Sequence, residues 1–591
     1  MALCALTTLV SLLGSFGLTS AVPYGQYILA PSSRNLEPVS VKEINGTVRN
    51  AEALLGGNRG SATLEGDSWV TLDYGKNIGG LLSIEVDRSD GGRGEKIYLP
   101  VTNDQRIFTL PQDRVRGGFR YVTLSTKEGE TVDISAVTTY FTPVPHRDPR
   151  GYTGFFHSDD ELLNRIWYAG AYTNQMNTIE PTTGESNFGG LTAEGTYTWS
   201  LNTTVCDGIA CVVDGAKRDR LVWPGDLVIQ TQTMSISTYD MEPLRNSIEA
   251  LFFGQAEDGM LPYLGWDFQG RNHSYMSFTY HLHNLISLAH YVRYTGDYEY
   301  LAKKWPDFVR AIEWSLSHID DTGLMNVTSD RDWLRVGMGG HNVEANAILV
   351  YTLQLGSELA MHVSDKETAE TWTQHAQSIK SKANALLWDT EAHMYLDNET
   401  TTLHPQDGNV WAILSNLTET TKQAEEISSA LQARWGTYGA PAPEAYGTTI
   451  SPFIGGLECE SSLVIGNPNR ALELIRLQWG YMLDGEPMTN STFVEGYSTD
   501  GSLVYKAYSE YSRISHAHGW STAPTYLLTT YVGGIHVEED AGSRWRVEPL
   551  GTKGTFVLPD DGYLRQGRRK VRVAGGESTE ELRGGCWEFR S

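Results

Sequence analysis

The stretch DGAKRDRLVWPGD, residues 214–226, sets three carboxylates, Asp214, Asp219 and Asp226, among Lys217, Arg218, Arg220 and Trp223. Like charges held close together push the pKa of one carboxyl upward, so such a group can keep a proton near neutral pH and hand it to a leaving atom. A solvated turn carries charges too, but here charge, tryptophan and a Pro-Gly turn fall together in one short run. Asp226, in PGDLVIQ, has a second role open to it as the cap of a following helix.

Three blocks of chain surround this stretch. From about residue 25 to 155, short runs such as SWVTLDYG, LLSIEVD, EKIYLPV and FRYVTLST alternate apolar with polar residues between Gly, Asp and Asn clusters, the pattern of a β-sandwich. After His157 the period changes. DDELLNRIWYAGAYTNQM, EPLRNSIEALFFGQA, SFTYHLHNLISLAHYVRYTGD, YEYLAKKWPDFVRAIEWSLSHI, NVEANAILVYTLQLGSELAMHV, ETAETWTQHAQSIKSKANALLW, TKQAEEISSALQARW and NRALELIRLQWGYML place apolar residues at i, i+3, i+4 and i+7, the spacing of helices. Several are apolar on more than one face, as packing against both a neighbour and an inner ring requires. After about residue 535 short strands return in IHV, SRWRVEP, TFVLP and KVRVAG. The prolines of PVPHRDPRGYTG mark the clearest boundary. The expected order is a leader at 1–21, an N-terminal β-domain at 22–155, a helical domain at 156–535 and a short β-domain at 536–591.

With 591 residues the chain is long enough for several domains and a large core. Its net charge of −26 repels nucleic acid and anionic membranes, which excludes both as partners. The 16 tryptophans and 30 tyrosines suit a sugar-binding cleft as well as ordinary core packing. Residues 1–21, MALCALTTLVSLLGSFGLTSA, read as a secretory signal peptide, with Thr19 and Ala21 at cleavage spacing. Asn-x-Ser/Thr sequons at Asn45, Asn202, Asn272, Asn326, Asn398, Asn416 and Asn490 agree with a secreted glycoprotein. Loss of the leader removes Cys4 and leaves Cys206, Cys211, Cys459 and Cys586, which permit three disulfide pairings or free buried thiols. A bridge between Cys206 and Cys211 would stiffen the approach to Asp214.

The helical region, its entry FFHSDDELLNRIWYAGAYTNQ and above all DGAKRDRLVWPGD resemble glycoside hydrolase family 78, the α-L-rhamnosidases, in their secreted fungal form. The likeness runs from the β-sandwich through SHAHGWSTAPTYLLTTYVGGI. It implies a central (α/α)6 six-hairpin barrel with the active site in the mouth of its inner ring, flanked by the N-terminal β-sandwich and a short C-terminal β-domain. Inverting hydrolysis needs a protonated carboxyl and a second carboxylate roughly 6.5–9.5 Å away that activates water. By resemblance the general acid falls at Asp219, ahead of Arg220, Leu221 and Trp223, where the family usually has Glu; Asp is one methylene shorter. The resemblance assigns Asp214 and Asp226 to sugar hydroxyls, Arg218 to orienting one of those two carboxylates, and Trp223 to an apolar wall for the sugar's methyl group.

The segment TFVEGYSTDG resembles the one that carries the family's general base, which makes Glu495 the second carboxylate. Glu344, Glu458 and Glu460 are its rivals, the last two lying two apart and so on different helix faces. Trp333, in DRDWLRVGMGG, resembles a tryptophan that packs on the sugar; otherwise it is a core residue beneath a loop. His516 and His518 lie where a family histidine reaches a sugar hydroxyl. His281 and His283, two apart on a helix, diverge too far to chelate one ion, and neither a metal nor a cofactor is expected. No Gly-x-Ser-x-Gly elbow, His-Glu-x-x-His zinc motif or Walker sequence is present. Other readings of the barrel are a different terminal sugar or uronate as substrate, or a sugar-binding protein that has lost catalysis. The resemblance also implies that the C-terminal β-domain is shortened.

Overall fold

The computed structural model describes residues 23–89, 106–185, 201–265, 276–509, 511–550, 563–566 and 569–572. The expected leader, the runs EKIYLPV and TFVLP, the sequon at Asn272 and Cys586 lie outside the described residues.

The N-terminal sheet is built on one unusually long strand. β1 (Asn35–Leu36), β2 (Ser40–Arg49), β3 (Ala62–Ser89), β4 (Ile107–Thr109), β5 (Arg116–Ser125) and β6 (Thr131–Phe141) form a single antiparallel sheet. SWVTLDYG and LLSIEVD, read as separate strands, are two parts of β3. Its first half pairs with β2 and β5 and its second half mainly with β6, with register shifts around Gly75 and Gly80. Gly75 has φ 75°, a conformation that costs a glycine little. Leu64 and Leu72 from one half share a core with Ile84 and Val86 from the other, so the folded strand makes both faces of the sandwich.

The helical region is a closed double ring. α2 (Pro224–Ser237), α4 (Phe278–Thr295), α6 (Val343–His362), α8 (Gln406–Leu414), α10 (Pro452–Val464) and α13 (Ala523–Leu527) pack each on the next, and α13 returns to α2. Outside them lie α1 (Glu161–Met176), α3 (Met241–Phe253), α5 (Tyr298–Leu316), α7 (Lys366–Leu387), α9 (Thr421–Gln432), and α11 (Pro468–Leu474), which runs through a π-turn into α12 (Gly480–Asp484). This is the (α/α)6 barrel. α7 shows why the outer helices are amphipathic: Ala369, Trp372, Ala376, Ile379, Ala383 and Leu387 are buried at helical spacing and the rest of the helix meets solvent. The inner helices are buried over most of their length, and in α4 every residue from Phe278 to Val292 is buried.

Beyond the barrel, Ile535–Val537 pairs with Trp545–Val547, and Tyr563–Gln566 with Arg569–Arg572, consistent with the strands read from IHV, SRWRVEP and KVRVAG. Among the described residues no helix is long and apolar enough to cross a membrane. Cys206 and Cys211 are bridged, and Cys459 is a buried free thiol.

Candidate active site

Five of the inner helices start at one mouth and place a side chain there from their first turn: Asp226 on α2, Tyr280 on α4, Glu344 on α6, Asp407 on α8 and Phe453 on α10. Trp520, just ahead of α13, stacks on Phe453 at 5.4 Å and completes the ring. Helix N-termini carry partial positive charge, which favours the acidic members of this set.

Three loop segments bring the carboxylates together. Ala216 N donates to Ala517 O, Gly519 N to Asp214 O, His518 N to Phe493 O and Glu495 N to Ser515 O, at 2.7–3.0 Å. The loops at 214–217, 493–495 and 515–519 are thereby tied by their backbones. Asp214 closes its own loop, since its Oδ1 accepts from Leu221 N at 3.0 Å. Within that loop Asp219 and Arg220 both adopt left-handed backbone, at φ 49° and 42°. Such conformations cost roughly 1–3 kcal/mol each for non-glycine residues and persist where the surroundings enforce them. Arg220 supplies the enforcement: Nε donates to Thr183 O, Nη2 to Thr183 Oγ1 and Nη1 to Ala216 O.

The result is a carboxylate pair on one guanidinium. Arg218 Nη1 lies 3.3 Å from Asp219 Oδ2, while its Nη2 binds Glu495 Oε2. Arg218 therefore orients Asp219 and Glu495, not Asp214 or Asp226, which corrects the role expected of it. The planar fork can serve two carboxylates at once, and Tyr508 covers its face with the guanidinium carbon 4.1 Å from the ring centre. Burial pushes the Glu495 carboxyl up to about 7, with Asp219 adding to the rise and Arg218 opposing it. Tyr505 OH donates to Glu495 at 3.3 Å.

Other expected residues divide between two groups. Asp226 Oδ1 accepts from Trp520 N at 3.0 Å, so Asp226 ties α2 to the 520 segment and does not cap its own helix. Burial holds the Asp226 carboxyl well above the usual range, as it does for Asp214 beside Asp219 and Asp226. His518 Nε2 lies 3.4 Å from Asp226 and 3.7 Å from Glu495, whereas the carbonyl of His516 accepts from Thr492 Oγ1. Of the two histidines, His518 faces the carboxylates. Trp223 is half-buried and meets Tyr263 and Tyr280 edge-on, an aromatic wall beside the acid loop.

Trp333 belongs to the second group. It is buried, its Nε1 donating to Asp407 Oδ2 at 3.0 Å, as a core residue beneath its loop would be. Around it Arg335 contacts Glu344 at 3.1 Å, Asp407 at 3.1 Å and Asp397 at 2.5 Å. Asp332, Glu344 and Asp407 present oxygens within 4.8 Å of one another, a donor set suited to a hard cation. Arg335 already supplies positive charge to two of the three. The rival bases Glu458 and Glu460 face different ways: Glu458 accepts from Gln406 and Trp435, Glu460 from Tyr526 and Tyr531. His281 and His283 also diverge, His281 toward Trp314 and His283 toward Trp411 and Phe453 in the bore.

Sequence reasoning did not single out Thr183, Tyr505, Tyr508 or Arg335. Tyr505 and Tyr508 sit just past TFVEGYSTDG and Arg335 two residues past Trp333, so proximity to those motifs was the available signal. Thr183 had none.

Residues 196–441 match the family model described as the bacterial alpha-L-rhamnosidase six-hairpin glycosidase domain. Among solved structures the chain is similar to the glycoside hydrolase family 78 rhamnosidase of Bacillus sp. GL1, with TM-score 0.65 and 19% identity over 85% of this chain and 50% of that one. It is similar to a rhamnosidase from Klebsiella oxytoca with rhamnose bound, with TM-score 0.64 and 20% identity over 85% of this chain and 97% of that one. It also resembles the native α-L-rhamnosidase from Aspergillus terreus, with TM-score 0.56 and 15% identity over 88% of this chain and 56% of that one. The chain thus spans about half the length of the Bacillus and Aspergillus proteins. No curated protein matches it by sequence. The chain thus matches the α-L-rhamnosidase six-hairpin glycosidase domain over residues 196–441 and shares the fold of these solved rhamnosidases.

Proposed function

We propose that this protein hydrolyses terminal α-L-rhamnosides with inversion, Asp219 acting as general acid and Glu495 as general base. The observation that carries this reading is the buried placement of both carboxylates on one guanidinium, Arg218. In the step proposed, the bond from the anomeric carbon to the leaving oxygen breaks, and its electron pair goes to that oxygen, which takes the proton from the acid. Water attacks the opposite face of the anomeric carbon and gives its proton to Glu495. Arg218 and Tyr505 hold Glu495 in place, and the low polarity of the buried site strengthens every charge interaction within it. Trp223 with Tyr263 and Tyr280 offers the apolar surface that a deoxy sugar's methyl group needs.

The substrate class, a rhamnosylated carbohydrate or small molecule, rests on the family match and on the Klebsiella structure, which holds rhamnose. Secretion as a glycoprotein is supported by the Cys206–Cys211 bridge and by exposed sequon asparagines at 45, 202, 416 and 490. Asn398 is buried with its amide bonded to Gly339 O and Thr400, and stands apart from these.

The test is release of p-nitrophenol from its α-L-rhamnoside, with the anomer first formed followed by proton NMR. Turnover that yields the inverted sugar and is abolished in Asp219→Asn and Glu495→Gln is the expected result. Rhamnose binding without turnover in the wild type favours a decayed binder, for which the shorter Asp219 is the specific motive.

A further inference from the structure

His341 stands at the foot of the loop that carries Asp332, Trp333 and Arg335. Val327 and Gly340 close that loop with two backbone bonds, Val327 N to Gly340 O at 2.8 Å and Gly340 N to Val327 O at 3.0 Å. Next in the chain, Asn342 caps α6, its Oδ1 accepting from Ala345 N at 2.9 Å. The His341 side chain is 11% exposed and meets a carboxylate on each side: Nε2 lies 2.8 Å from Asp320 Oδ2, and Nδ1 lies 2.7 Å from Glu399 Oε1. Asp320 follows α5 and Glu399 lies in the run that leads into α8, so one ring joins three segments of chain.

That contact pattern sets the charge of the ring. A neutral imidazole has one N–H and one lone pair, so it donates to one carboxylate only, whereas the imidazolium donates to both. The carboxylates offer no proton in return. Asp320 Oδ1 accepts from Thr322 N at 2.9 Å and from Thr322 Oγ1 at 2.6 Å, and both acids are 40% exposed, where water keeps them ionised. Among the described residues Asp320 and Glu399 are the charged groups that face the ring, and Thr322 Oγ1 lies 3.2 Å from Nε2. Burial works against the charged ring, but the hydrogen bonds and charges of Asp320 and Glu399 outweigh it and raise the His341 pKa.

The clamp bears on the mouth of the barrel by two routes. Glu399 shares its segment with Asp397, whose Oδ1 accepts from Arg335 Nη2 at 2.5 Å and from Asn342 Nδ2 at 2.9 Å. Asn398, between the two acids, donates from Nδ2 to Gly339 O at the loop's foot, at 3.2 Å. Within the loop, Asp332 O accepts from Tyr263 OH at 2.7 Å, and Tyr263 meets Trp223 edge-on with ring centres 5.0 Å apart. We propose that His341, held as an imidazolium between Asp320 and Glu399, latches this loop and thereby positions the Tyr263–Trp223 wall for the sugar. His341 is a positioning residue in this scheme. When pH rises through its pKa the ring loses one N–H, one carboxylate faces a lone pair, and the clamp opens on that side. The stability that the ring contributes is fully present below the ordinary histidine value of roughly 6.5 and is lost as pH rises through the raised value. The inference rests on the rhamnosidase reading for its substrate but not for the latch.

The experiment compares wild type with E399Q and H341Q. Proton–nitrogen NMR of protein carrying isotope-labelled histidine, with H341Q identifying the signal, should give the ring a pKa above roughly 6.5 that falls in E399Q. KM for p-nitrophenyl α-L-rhamnoside should rise roughly tenfold as pH passes that pKa, the low end of what one contact in an apolar pocket decides. The rise should come at lower pH in E399Q and vanish in H341Q, whose KM stays high, while kcat keeps one pH profile in all three proteins. A ring that titrates at or below roughly 6.5, or a KM rise unmoved in E399Q, overturns the latch. If the wild type cleaves no rhamnoside, the substrate reading fails on its own, and the ring titration and the melting midpoint then decide. The midpoint should fall more in wild type than in H341Q as pH rises through the ring's pKa, and equal falls overturn the latch.

Discussion

Arg218 and Glu495 lie 277 positions apart in sequence and meet as a buried ion pair, with Asp219 on the neighbouring nitrogen of the same guanidinium. Removing one partner of a buried pair leaves the other charge uncompensated, at a cost of about 3–5 kcal/mol. Arg218→Ala should therefore lose both stability and activity, and urea unfolding beside kcat/KM separates the two. Arg218→Lys keeps the charge but offers one point where the fork offers several. It should recover more stability than activity, and equal recovery of both would show that the fork is not needed.

Glu495 predicts an acidic limb. As a base it acts ionised, and burial places its carboxyl at about 7. kcat/KM, which reports the free enzyme, should fall as pH drops through that value. Tyr505 donates to the ionised form, so Tyr505→Phe should move the limb to higher pH. A limb unmoved in that variant would assign it to another group.

How far the sequence could be read follows from what each residue faces. The outer helices α3, α5, α7 and α9 betray themselves by one apolar stripe, as Trp372, Ala376 and Ile379 do in α7. Of the inner ring only α4 and α6 stood out. α2, α8, α10 and α13 are buried on every side or are short, so PGDLVIQTQTMSIS and QDGNVWAIL show no polar face from which a period could be counted. The structure brings Asp219 and Glu495 together on Arg218, and both stand out in the sequence because each sits in a stretch that resembles a family motif. Thr183 does not, because TTGES has no composition of its own and acquires meaning only when Arg220 clamps it. Arg218 was identified but given the wrong partners, since Glu495 reaches it through backbone bonds between distant loops.

His283 predicts how stability responds to acid. Burial alone holds its pKa down to about 3, against an ordinary value of roughly 6.5. A depressed pKa contributes stability that is present above pH 6.5 and is lost as pH falls toward the folded value, because the unfolded chain takes up the proton first. Both ring nitrogens of His283 also lack partners. His283→Leu should thus raise the melting midpoint at pH 7 and shrink its drop between pH 7 and pH 5. Calorimetry at the two pH values checks this, and an undiminished drop would place the acid sensitivity elsewhere, with His281 and its pKa of about 4 the next group to replace.

Gly117 in β5 predicts a catalytic role for the N-terminal sheet. A Cβ at this position would lie 1.5 Å from Ala216 O and 2.4 Å from Arg220 Nη1, far inside contact distance. Both atoms belong to the acid loop, and the bond between them helps hold Asp219 and Arg220 in left-handed backbone. At neighbouring Gly118 the Cβ would lie 3.3 Å from Ala216 Cβ, close enough to need only a small shift. Gly117→Ala should therefore lower kcat by at least about 10²-fold, the scale of a 1 Å misplacement of catalytic groups, while Gly118→Ala loses much less. Circular dichroism of both variants checks that the sheet survives. If Gly117→Ala folds and keeps its full rate, the sheet does not set the position of Asp219, and the acid loop draws its geometry from Thr183 and the 515–519 segment alone.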